Sequence, residues 1–169
     1  MSEKHKRYFL KARESREILD KASKRFGIYL EQPLKDRANV EVVRGESIEV
    51  FLIDGKPALA QSGENIYPTL TFKEFLDRAP KATVDMGAVP HVCKGADVMA
   101  PGIRKFSGEF QKGDFVLVTD EKHGKPIALG EALYGAEEAR NTKQGAVIKN
   151  VHYVGDKAWS LMKQINAAI

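Results

Sequence analysis

Residues 84–103 read Val84-Asp85-Met86-Gly87-Ala88-Val89-Pro90-His91-Val92-Cys93-Lys94-Gly95-Ala96-Asp97-Val98-Met99-Ala100-Pro101-Gly102-Ile103. Ala82 to Met86 alternates apolar and polar residues as a strand does, and Gly87 breaks it. A short helix is predicted over Ala88 to Lys94, with Gly95 as its terminator. Ala96 to Met99 is extended again, and Pro101-Gly102 has the proline and glycine of a type II turn. If the strands at Val84 and Val98 pair, two backbone corners, Gly87-Ala88 and Ala100-Pro101-Gly102, come close together. At the first corner the strand passes into a helix, whose leading N–H groups and dipole suit a phosphate. A glycine there lets the backbone approach such a ligand closely. Lys94, Arg104 and Lys105 flank the corners as candidate phosphate contacts, and His91 can stack on or hydrogen-bond a nucleotide. The alternative reading is that the glycines satisfy turn geometry and the cations belong to a solvated face.

Downstream, Phe115 to Val118, Ile127 to Leu133 and Val147 to Val154 are short strand candidates separated by glycine-bearing turns, a spacing that predicts a small closed β-barrel. Asp156 can cap a last helix in which Ala158, Leu161, Met162 and Ile165 form an apolar stripe. Trp159 is expected as a core anchor under the barrel. Upstream, Arg78-Ala79-Pro80-Lys81 reads as a joint. Before it, Ser15 to Phe26 has the periodicity of an amphipathic helix that Gly27 ends. Val40 to Arg44, Ile48 to Ile53 and Ala58 to Gln61 follow as strands, the last two joined by the hairpin dipeptide Asp54-Gly55. Thr71 is expected to cap a short helix with Glu74 three residues on. The reading is an α+β chain of two units, 1–77 and 78–169, the first folding separately.

The chain of 169 residues, 43% apolar, can bury one ordinary core or two small ones. Its longest apolar runs fall far short of a membrane span, and no apolar leader follows the charged opening, so a cytoplasmic location is expected. Net charge is +4 and the isoelectric point near 9.1. The excess sits at the front, where residues 1–25 hold nine Lys/Arg against four Asp/Glu. Lys4, Lys6, Arg7 and Lys11 therefore read as a possible basic arm for RNA, with a solvated helix face as the alternative. Cys93, the single cysteine, excludes a disulfide framework and multi-cysteine zinc patterns. It is expected in the core, and its i,i+2 spacing from His91 points the two side chains in different directions. Asp85 and Asp97 read as caps of backbone amides rather than as acid–base groups. No phosphate loop or dinucleotide fingerprint occurs. No catalytic set, metal site or cofactor is expected.

The 84–103 stretch closely resembles the opening of PUA domains, and Gly113-Asp114-Phe115-Val116-Leu117-Val118, Pro126-Ile127-Ala128-Leu129-Gly130, Gly145-Ala146-Val147 and Asp156 with Trp159 resemble its later pieces in order. Upstream, Ile53-Asp54-Gly55-Lys56 and Tyr67-Pro68-Thr69-Leu70 resemble the pre-PUA domain of the malignant T-cell amplified sequence family. The resemblance implies a small α/β pre-PUA domain followed by a PUA pseudo-β-barrel that binds RNA. It further implies an adaptor in translation whose partners are structured RNA, tRNA or rRNA, and the small ribosomal subunit. The alternative it leaves open is an accessory subunit presenting tRNA or guide RNA to a modification enzyme. The basic segment Met1 to Arg25 matches the family's motifs less closely than the rest of the chain.

Overall fold

The computed structural model describes residues 6–27 and 39–167. The first sheet is antiparallel with strand order β1-β2-β3-β4-β5, formed by β1 (Lys6–Phe9), β2 (Val40–Arg44), β3 (Glu49–Ile53), β4 (Lys56–Ser62) and β5 (Asn65–Pro68). Helix α1 (Ala12–Phe26) lies between β1 and β2 in the chain, and α2 (Lys73–Leu76) follows β5. The β3–β4 hairpin closes as its Asp-Gly dipeptide predicts: Asp54 at φ 52° and Gly55 at φ 82° are the two left-handed positions of a type I′ turn. Helix α1 begins three residues earlier than the periodicity indicates, because the Glu14 carboxylate accepts the Lys11 N–H at 3.2 Å. Thr71 does not cap α2. Phe72 stands at that position, and the Thr71 hydroxyl donates instead to the Pro57 carbonyl.

The second sheet has the order β7-β11-β10-β9-β6-β8. Its strands are β6 (Lys81–Val84), β7 (Val98–Met99), β8 (Ile103–Ser107), β9 (Phe115–Asp120), β10 (Pro126–Ala132) and β11 (Ala146–Tyr153). The two edge strands, β7 and β8, are joined by a single 3-10 turn, Ala100–Gly102, so the sheet curls toward closure without the edges hydrogen-bonding. The result is a half-barrel, the pseudo-β-barrel expected, with its two edges left unpaired. The predicted helix at Ala88–Lys94 shrinks to α3 (Val89–Val92), and α4 (Ala136–Asn141) lies between β10 and β11. Val98 pairs with Ile148 of β11, not with Val84, whose partner is Ile103.

The last helix, α5 (Lys157–Ala167), is capped as expected: Asp156 Oδ1 accepts the Trp159 N–H at 2.8 Å. Its stripe of Ala158, Leu161, Met162 and Ile165 is buried, but against the first sheet rather than under the half-barrel. That core also takes Phe115, Leu117 and Leu129 from the second sheet, so the first unit does not close on its own residues. Trp159 lies off the stripe by about 100° and is only half-buried, which corrects the expectation of a core anchor. A second core, including Val84, Val98, Val116, Val118 and Ile148, fills the half-barrel.

One buried polar residue ties the units together. His152 is wholly inaccessible; its Nε2 accepts the Leu70 N–H at 3.2 Å, and its Nδ1 is 2.8 Å from Asp156 Oδ2. Since Nε2 is filled by a donor, the neutral ring carries its proton on Nδ1 and donates it to the Asp156 carboxylate. The ring also packs against Tyr67, centroids 5.4 Å apart. Burial, with the Asp156 charge adding to it, pushes the Tyr67 hydroxyl far above its ordinary titration range.

Candidate nucleic-acid interface

Where β6 ends, the Asp85 N–H donates to the Gly102 carbonyl at 2.9 Å, and a Cβ placed on Gly102 would stand 3.1 Å from the Ala88 Cβ. The two corners singled out from sequence, Gly87-Ala88 and Ala100-Pro101-Gly102, are therefore in contact, although through β6–β8 pairing. Gly102 is not at positive φ: the expected type II turn is a 3-10 turn, and a Cβ at this glycine would be crowded by the close approach of Ala88. The helix start is not an open anion cradle either. Helix α3 is a single turn, and the Ala88 N–H is already held by Asp85 Oδ1 at 2.8 Å. Asp85 and Asp97 both serve as amide acceptors, Asp97 Oδ1 taking the Asn150 N–H at 2.9 Å. Asn150 in turn donates to the carbonyls of Val92 and Ala96, which fixes the far end of α3 to β11.

Of the other sequence-derived site residues, His91, Lys94, Pro101, Arg104 and Lys105 are exposed and Ala100 is half-buried. Cys93 packs partly into the half-barrel core, and burial raises its thiol pKa. Arg104 has a distinctive setting. Val84 pairs with Ile103 and Thr83 with Lys105, so Arg104 is the extra residue of a β-bulge, a device that re-aims a side chain. Its Nε lies 3.2 Å from Glu121 Oε2, and Glu121 Oε1 accepts the Met86 N–H at 3.3 Å.

The Glu121 contacts bring in a segment that sequence reading did not include. The β9–β10 loop is organised by Asp120, whose side chain accepts the amides of His123 and Lys125. The His123 amide is the main reason that the Asp120 carboxyl stays below the usual carboxylate range, against the opposing effect of burial. The Glu121 N–H donates to the Val84 carbonyl at 2.9 Å, anchoring the loop beside the glycine corners. Lys122, His123 and Lys125 are exposed on it, and the clustering of charge between two apolar runs was the available signal. Met86 and Met99, 41% and 49% exposed, add apolar surface next to the same corners.

The residues of the basic arm fall partly on folded elements. Lys4 lies outside the described residues. Lys6 and Arg7 belong to β1, where Arg7 Nε is 2.7 Å from Glu41 Oε2, and Lys11 precedes α1. These cations sit on a folded sheet edge and helix, with Arg7 already paired. Phe9 on that edge is 67% exposed. Among the described residues, no group of three or more His, Cys, Asp or Glu could hold a metal ion. No described helix is long and apolar enough to cross a membrane.

The PUA domain model matches residues 80–154, and the model described as Domain of unknown function (DUF1947) matches residues 6–73. Uncharacterized protein MJ1432 of Methanocaldococcus jannaschii is 37% identical over 161 residues, spanning 92% of this chain and 96% of its own length. The chain belongs to this two-unit PUA family. Translation machinery-associated protein 20 of Schizosaccharomyces pombe is similar, 32% identical over 130 residues, with 74% of this chain and 67% of that protein covered. Malignant T-cell-amplified sequence 1 of Rattus norvegicus is 27% identical over 139 residues, covering 79% and 76%. The crystal structure of hypothetical protein PH0734.1 from Pyrococcus horikoshii OT3 has a TM-score of 0.72 and 31% identity, covering 93% of this chain and 99% of that one. The resemblance read from residues 84–103 and 53–70 thus holds for both units, and the half-barrel is a PUA domain, an RNA-binding module.

Proposed function

We propose that the protein is a non-catalytic RNA-binding adaptor of the cytoplasmic translation machinery, working on tRNA or on the small ribosomal subunit. The observation that carries this reading is the contact between the Gly87-Ala88 and Ala100-Pro101-Gly102 corners, with the bulged Arg104 beside them. At the first corner the exposed Gly87 lets a sugar–phosphate chain approach closely, while cations hold phosphates without demanding a base sequence. Relatives whose names place them with the translation machinery support the context. His91 extends the surface on α3 and Lys94 just beyond its end, Lys105 along β8, and Lys122, His123 and Lys125 across the β9–β10 loop.

The test has two parts. Arg104→Ala combined with Lys105→Ala should weaken binding of a structured RNA. It should lower the log–log salt slope by roughly 0.7–0.9 for each phosphate that is no longer neutralised. If the folded variant binds as tightly as the parent at near-physiological salt, this surface is not the site. Affinity capture from cells then separates the contexts: small ribosomal subunits support the adaptor reading, and an RNA-modification enzyme in their place replaces it with the accessory-subunit reading.

A further inference from the structure

We infer that Glu121 is a built-in stand-in for an RNA phosphate, a carboxylate that occupies one phosphate position of the PUA surface and is displaced when RNA binds. This rests on the site reading above and adds a specific competitor within it. The two oxygens of Glu121 are shared between the Met86 backbone N–H, at 3.3 Å from Oε1, and the Arg104 guanidinium, 3.2 Å from Oε2. A phosphodiester with two free oxygens meets the same donor pair: one backbone amide and one guanidinium edge. Both donors belong to the glycine corner. Met86 precedes Gly87, and Arg104 is two residues beyond Gly102, aimed by the β8 bulge.

Two features make displacement feasible. The Arg104 and Glu121 side chains are 62% and 36% exposed, and an ion pair in that setting is weak. The loop does not depend on the pair for its shape, because the Glu121 N–H is bonded to Val84 and the Asp120 carboxylate holds the amides of His123 and Lys125. The carboxylate can swing away while its backbone stays fixed. Its effect on the empty protein is to keep Arg104 aligned and to oppose weakly held anions, so that only a ligand with further contacts along the surface replaces it.

Glu121→Gln keeps the shape and an acceptor for Met86 while removing the charge. With a fluorescein-labelled RNA hairpin as probe, this variant should bind about two- to fivefold tighter at ~0.1 M salt. In an Arg104→Ala background the gain should largely disappear, because there is no ion pair to break. The Met86 amide resonance should shift on addition of RNA to the parent protein, as its carboxylate acceptor is exchanged for phosphate. Equal or weaker binding by Glu121→Gln at an unchanged melting temperature overturns the inference. So does an equal gain in both backgrounds, which would make Glu121 a source of general repulsion only. If Arg104→Ala with Lys105→Ala leaves affinity unchanged, the site reading falls and this inference with it. If that pair weakens binding and Glu121→Gln does not strengthen it, only the stand-in is refuted.

Discussion

His152→Ala is the perturbation whose cost can be worked most directly. The ring is fully buried between the two units, so its removal leaves a cavity and strands the Leu70 N–H, while Asp156 Oδ2 keeps the Tyr153 N–H at 3.0 Å. Large-to-small replacement at a buried site costs about 2–4 kcal/mol through lost packing and the residual void. The Leu70 N–H, now without its Nε2 acceptor, adds about 1–3 kcal/mol if water does not reach it. These effects overlap, since a roomier cavity admits water, and a net loss of about 4 kcal/mol is expected. For a chain of this length that corresponds to a fall of roughly 8–16 °C in melting temperature. Urea unfolding followed by far-UV dichroism and Trp159 fluorescence measures it. His152→Gln, which offers an acceptor toward Leu70, should recover part of the loss. A change below about 1 kcal/mol for the alanine variant would refute the view that this residue couples the units.

Three further outcomes follow from the packing. Gly102→Val should destabilise by about 1–3 kcal/mol through overpacking against Ala88, with no backbone strain, and should weaken RNA binding beyond its effect on the folded fraction; stability and affinity measured on the same preparation separate the two. Gly130→Ala should cost at least as much, because its Cβ would collide with the Ile148 side chain and stand 2.8 Å from the Lys149 carbonyl; thermal unfolding of the variant checks this. The Asp120 carboxyl titrates below its ordinary value of about 3.9, so its stabilising effect is fully present above that pH and is lost as pH falls through the depressed folded-state value. Melting temperature against pH for the parent minus Asp120→Asn should decline only in that acid range.

The parts of the fold legible in the sequence are those specified locally. The β3–β4 hairpin announces itself because Asp54-Gly55 sits between apolar runs, and the PUA opening is legible because its glycines and proline punctuate short segments. Strand β1 is illegible as Lys6-Arg7-Tyr8-Phe9, since an edge strand exposed along its whole length needs no apolar alternation. Strand β8 hides for a related reason: its bulge at Arg104 breaks the period of two. Convergence of the two glycine corners was readable, but its route was not, because pairing partners are chosen by the sheet as a whole. His152 has no local signal, and the charge cluster around Glu121 does not name its partner. Their roles depend on residues 82 and 35 positions away, Leu70 and Met86. The stripe of α5 shows that the helix must be buried, while nothing in its period says against which sheet.

That destination sets an order of events in time. The first sheet is made early, yet the helix that covers it is encoded after the entire PUA domain. A ribosome adding about 5–20 residues per second must cross about 90 residues between α2 and the end of the α5 stripe. The apolar face that receives α5 thus waits roughly 5–18 s, with Phe115, Leu117 and Leu129 arriving midway as partial cover. Nascent chains halted before residue 158 should be captured by hydrophobic-binding chaperones, and a chain whose synthesis stops there loses the closure of its first unit as well as its last helix.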